Sequence, residues 1–162
     1  MIQSDEFELT IEHGSKLILP ENMVRPFVEK GHRRVEVRIS FENQHLQYHA
    51  ALLKNKHGLY NIYFSKAKQK ELGVFMNDYF TVQLFEDQTT YGVEMPDVLK
   101  VILNSDVEAQ CAFDSLTPGR KRSLIYTIKR YKSEQLKIDR ALLILENVKN
   151  GCDTPKDWLK KS

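Results

Sequence analysis

LGVFMNDYFTVQLFEDQTTYGVEMP, residues 72–96, carries a helix end, a tight turn, an alternating strand and a proline that opens a helix. Gly73 stands where a helix stop prefers glycine. Asn77 and Asp78 supply turn chemistry, because both tolerate or cap a left-handed backbone. Phe80, Val82 and Leu84 then alternate with polar neighbours, the period of a half-buried strand. A further strand is expected over 89–93, and Pro96 suits the first turn of a helix. This order of elements specifies an architecture rather than a reaction.

Working towards the N-terminus, the same period of two recurs in residues 7–11, 34–39 and 44–53, with shorter strands expected over 16–19 and 59–64. Two short helices interrupt the strands, over 21–30 before Gly31 and over 66–72 before Gly73. LILPENMVRPFVEKGHRRVEVRI and YFSKAKQKELGVFMNDYFTVQLF both read strand, short helix, glycine, turn, strand. This repetition implies a degenerate internal duplication.

Towards the C-terminus the period becomes helical. One helix runs from Pro96 to about 103, and Ser105 is placed to cap a second, DVEAQCAF. Thr117 and Pro118 open a third, in which Leu124, Ile125 and Ile128 share a face. Ser133 caps a long fourth with an apolar stripe of Ile138, Ala141, Leu142, Leu145 and Val148, stopped at Gly151. The tail adds a short turn bearing Trp158. The expected class is α+β, with a β domain over 1–95 and a helical domain over 96–162.

The 162 residues are 41% hydrophobic and 28% charged, an ordinary balance for a chain with a real core. A net charge of +2 does not announce a nucleic-acid partner. Cys111 and Cys152 are too few for a disulfide scaffold and read as free thiols, with Cys111 on an apolar helix face. No export signal opens the chain and no stretch approaches the roughly 20 apolar residues of a membrane helix, so a cytoplasmic address is expected.

Several motifs resemble a known pairing of domains, in which a small β-barrel of unknown function precedes a helical bacteriocin-protection, YdeI or OmpD-associated domain. In the first half the resemblance rests on the arginine-led strand 34–39, on Gly58 and Tyr60, and on LGVFMNDYFTVQLFED followed by VEMPDVL, with Asn77-Asp78 replacing a Gly-Asp turn. In the second half it rests on Phe113 and Leu116, the basic run 120–122, Lys132 and Arg140. Gln135, Leu136 and Lys137 stand at its Glu-Thr-Arg positions, and Tyr131 replaces an alanine. The resemblance implies an AbrB-like double-split barrel built from one chain, and a role in withstanding antimicrobial peptides or envelope stress.

The sharpest chemical asymmetry lies in residues 120–140, where Arg120, Lys121, Arg122, Lys129, Arg130, Lys132, Lys137 and Arg140 face only Glu134 and Asp139, a balance of eight against two. Arg122, Lys129, Arg130, Lys132, Lys137 and Arg140 are the candidate residues for an anionic ligand, which charge-assisted hydrogen bonds would hold. The competing reading is a solvated helix face. Tyr126 and Tyr131 lie among these charges and suit either stacking on bases or amphipathic packing. An AbrB-like DNA-binding regulator would add Arg33, Arg34 and Arg38, and an enzyme would place its site between barrel and helices. His45 and His49 lack further ligands at metal spacing, and no cofactor is expected. Glu86 and Asp87 read as an acidic hairpin end.

Overall fold

A computed structural model describes residues 1–12 and 14–161. It divides into two compact units, Met1–Gln88 and Thr89–Ser162. Among the described residues the first contains seven strands and two helices: β1 (Phe7–Leu9), β2 (Lys16–Ile18), α1 (Glu21–Glu29), β3 (Arg34–Phe41), β4 (Gln44–Ala51), β5 (Leu53–Lys54), β6 (Tyr60–Tyr63), α2 (Lys66–Leu72) and β7 (Phe80–Glu86). The second contains α3 (Asp97–Ser105), α4 (Val107–Asp114), α5 (Pro118–Lys129), α6 (Glu134–Lys149) and a single 3-10 turn at Pro155–Asp157. The chain is thus mixed α+β.

The strands do not close into a barrel. They form two antiparallel sheets, one ordered β1-β7-β3-β4 and the other β2-β6-β5. Closure fails for want of strand: β1, β2 and β5 span three, three and two residues. The expected strand over 89–93 is not formed either. Gly92 there turns at φ +79°, while Val93 is buried in the helical core and Tyr91 meets Phe113 edge-on at 5.4 Å.

The duplication is visible in the ladders. Leu17 pairs with Ile62 at the centre of the β2–β6 ladder, and Arg38 pairs with Gln83 within the β3–β7 ladder. Both pairs are 45 residues apart (62 less 17, 83 less 38), and the starts of α1 and α2, Glu21 and Lys66, are 45 apart as well. A residue facing its own counterpart across an antiparallel ladder marks a local twofold axis. The two strand–helix–strand copies therefore pair about one pseudo-twofold.

Alternation buries one face of the longer strands β3 and β7. Val35, Val37, Ile39, Val82 and Leu84 from the larger sheet meet Leu17 and Ile62 from the smaller, with Phe27 and Leu72 closing the core from α1 and α2. Ser65 caps α2 by accepting from the Lys68 amide, and Gly73 ends it at φ +81°. The Asn77 turn adopts φ +73°, and Asp78 Oδ2 accepts the Phe75 N–H at 2.8 Å.

In the helical unit, Leu99, Phe113, Leu124, Ile125, Ile128, Ile144 and Trp158 are among the buried residues. Thr117 and Ser133 cap α5 and α6 by accepting from Arg120 and Leu136 amides. The cap of α4 is Asp106 rather than Ser105: Asp106 accepts the Ala109 amide, while Ser105 Oγ donates back to the Val101 carbonyl. Among the described residues no helix is long and apolar enough to cross a membrane.

Candidate functional site

The α5–α6 connection is short because both sides are tightly specified. Arg130 and Tyr131 amides donate back into the last turn of α5, and Ser133 already caps α6. This short loop holds Arg130 and Tyr131 close to Arg140, seven residues into α6 from its first residue's cap. The guanidinium carbons of Arg130 and Arg140 lie 5.3 and 5.8 Å from the centre of the Tyr131 ring. Both distances are within the range of cation–π attraction. Arg130 Nη2 also donates to the Tyr131 hydroxyl at 3.3 Å.

Two like charges are thereby gathered on one ring, and among the described residues neither has a carboxylate within ion-pair distance. Arg140 Nε is moreover buried with no hydrogen-bond acceptor. A buried donor without an acceptor is costly. Tyr131, where the resembled motif carries alanine, supplies the platform.

The other candidates separate from this pair. Lys129 and Lys137 line a shallow cleft of about 290 Å³ with Lys100, Glu94 and Asp97. Two of its cations are answered by carboxylates, Lys137 lying 3.5 Å from Glu134 and Lys100 3.9 Å from Asp97. Arg122 folds back beside Gly119 in the first turns of α5, and Lys132 is exposed in the loop. Tyr126 is exposed on α5.

In the β unit, Arg38 is held by Glu36 at 3.0 Å and stacks 3.9 Å above the Phe85 ring, while Arg34 lies 4.0 Å from Asp87. Arg33 is exposed. Glu86 and Asp87 are engaged with histidines, His32 at 3.0 Å and His49 at 3.4 Å, and Glu86 also accepts the Ile2 amide. His45 Nδ1 lies 3.2 Å from Ser40 Oγ. Among the described residues no group of three or more potential ligands converges on a metal position. Cys111 is exposed rather than packed, because Ala109 and Phe113 define the buried face of α4; Cys152 is half-buried and both thiols are free.

The arginine pair and its tyrosine lie within a segment that is similar to a known family. Residues 92–151 match the bacteriocin-protection, YdeI or OmpD-associated family. The matched segment takes in α3, α4, α5 and α6 whole and contains Phe113, Leu116, Lys132 and Arg140, on which the resemblance was read. No curated protein matches the chain. A solution structure of PHS018 from Pyrococcus horikoshii is similar at 17% identity and a TM-score of 0.41, over 55% of this chain and all of that one.

One feature of the β unit was missed by motif reading. A cleft of about 600 Å³ is lined by Glu8, Leu9, Glu12, Lys16, Ile18, Tyr63 and Tyr79, among others. The available signal was charge: residues 1–12 contain Asp5, Glu6, Glu8 and Glu12 and no lysine or arginine.

Proposed function

We propose that the protein is a non-catalytic, cytoplasmic member of the bacteriocin-protection type whose helical unit binds an anionic ligand at Arg130, Tyr131 and Arg140. The observation that carries this reading is the convergence of two arginines on one ring, unanswered by any carboxylate among the described residues, with Arg140 Nε buried and lacking an acceptor. A phosphate or carboxylate placed there would meet two guanidinium forks and an aromatic face. Lys129, Lys137, Arg122 and Lys132 would contribute a screened background field rather than contacts. The β unit is read as a scaffold related in topology to the AbrB-like double-split arrangement, supported by its two copies pairing about a local axis.

Inorganic pyrophosphate is a suitable probe, titrated calorimetrically against the intact chain. R130Q/R140Q should weaken binding by about tenfold or more, the loss of two charge-assisted contacts. R122Q/K132Q should leave it within about threefold, since exposed charges act weakly through screened water. Equal losses in the two double variants would replace the site with a diffuse basic surface.

A further inference from the structure

The pseudo-twofold is broken at one place. In the second copy, β5 runs along the outer edge of β6, Leu53 facing Asn61 and Lys54 facing Tyr60. Moving 45 residues back along the chain, the counterparts are residues 8 and 9 facing 16 and 15. That pairing does not occur: Glu8 and Leu9 belong to β1 and pair with Thr81 and Phe80 of β7. Among the described residues the outer edge of β2 therefore carries no strand, and β2 is an end strand of its sheet. The 600 Å³ cleft is bordered by these same residues, Glu8 and Leu9 on one side and Ser15 and Lys16 on the other.

The cleft has the surfaces that an added strand would use. Consecutive residues Glu8, Leu9 and Thr10 all line it, so β1 presents its edge rather than one face. Ile18, Tyr63 and Tyr79 provide an apolar floor and remain 37, 56 and 68% exposed. Asp5, Glu6, Glu8 and Glu12 are exposed, and among the described residues none forms an ion pair. Among the described residues Lys16 is the sole cation on the cleft wall. Free strand edges bind extended peptides through main-chain hydrogen bonds, with alternate side chains setting specificity.

We propose that the cleft between β1 and β2 binds an extended basic peptide, which adds as a strand to the outer edge of β2, lays apolar side chains on Ile18, Tyr63 and Tyr79, and sets its lysines or arginines against Glu8 and Glu12. The site is separate from the arginine pair and stands without it.

The test uses the isotope-labelled full chain and a blocked heptapeptide alternating lysine and valine. On binding, amide exchange across 16–18 should slow by about tenfold or more, as new ladder bonds protect a previously open edge. E8Q/E12Q, both at exposed positions, should weaken binding by about tenfold while leaving the far-ultraviolet spectrum unchanged. A glutamate–valine peptide, and a lysine–valine peptide N-methylated at alternate amides, should fail to bind. The proposal is overturned if the N-methylated peptide binds equally, if exchange across 16–18 is unchanged, if E8Q/E12Q has no effect, or if copies of this chain associate with each other and the peptide does not bind. A second variant, Y79A, reads the floor: it should weaken the valine peptide more than an alternating lysine–glycine one, and equal effects on both would also overturn the assignment.

Discussion

Replacing Asn147 with alanine should release the C-terminal tail. Asn147 sits on α6 at 9% exposure, and its Nδ2 donates to the carbonyls of Trp158 at 2.6 Å and Lys160 at 2.9 Å. The indole it secures is fully buried and donates its own Nε1–H to the Cys152 carbonyl at 2.9 Å. The Trp158 carbonyl would be left without a donor in a buried setting, costing about 1–3 kcal/mol, and the Lys160 bond about 1 kcal/mol, since water can replace it there. The total, roughly 2–4 kcal/mol, corresponds to a melting shift on the order of 4–16 °C for a chain of this size. Trp158 is the only tryptophan, so its fluorescence reports this unit alone during urea unfolding. Asn147→Asp sharpens the test, because a carboxylate of the same shape accepts but cannot donate. A loss below about 0.5 kcal/mol in both variants, within the range of an ordinary surface substitution, would refute the amide as the tie.

At the turn before β7, Asn77 adopts φ +73°, so Asn77→Gly should hold or raise the urea midpoint, whereas Asn77→Val should cost about 1–2 kcal/mol by forcing a β-branched residue into the left-handed region. Asp106 accepts a hydrogen bond from Lys149 Nζ at 2.7 Å and from the Ala109 amide, and these hold its carboxyl below the usual range. A depressed folded value means that its stabilising effect is complete above the ordinary aspartate pKa of about 4 and is lost as pH falls through the lowered value. Lys149 is raised chiefly by the same bond, so its share persists below its ordinary value and disappears as pH rises through the raised one. Melting curves of the parent and D106N should therefore run a constant distance apart near neutrality and converge in acid; parallel curves down to the acid limit would contradict the coupling.

What could be read before the fold was known follows the range of the interaction concerned. Caps and stops depend on residues three or four apart, and Thr117, Ser133, Gly73 and the Asn77 turn all stand where the sequence places them. The same locality explains the error at α4, one residue in register: Ser105 satisfies itself on the preceding turn, leaving the adjacent Asp106 to cap. Strand partners depend on distant residues. Alternation over 89–93 looked like a strand, but Val93 and Tyr91 pack on the helical core instead, and the barrel loses a stave. Cys111 was misplaced because its apolar neighbours Ala109 and Phe113 are four apart, which puts a residue midway between them on the opposite side of the helix.

Charge counting found the right segment and could not rank its members. Eight cations in 120–140 look equivalent in one dimension, yet Lys137 is answered by Glu134, while Arg130 and Arg140 meet across a capped loop on a tyrosine that the resembled motif lacks. A similar logic applies to the β unit. Where the two copies agree, as in Leu17 facing Ile62, the residues do what the sheet requires. Where they differ, β5 completes the edge of β6 and β1 turns away to β7, leaving β2 an end strand beside Glu8 and Glu12, which form no ion pair among the described residues. An open edge invites unwanted pairing and is ordinarily shortened, charged or covered. Here it is short and flanked by acid, which discourages neutral and acidic strands from adding while leaving basic ones attracted, so the same residues that protect the edge also define what it selects.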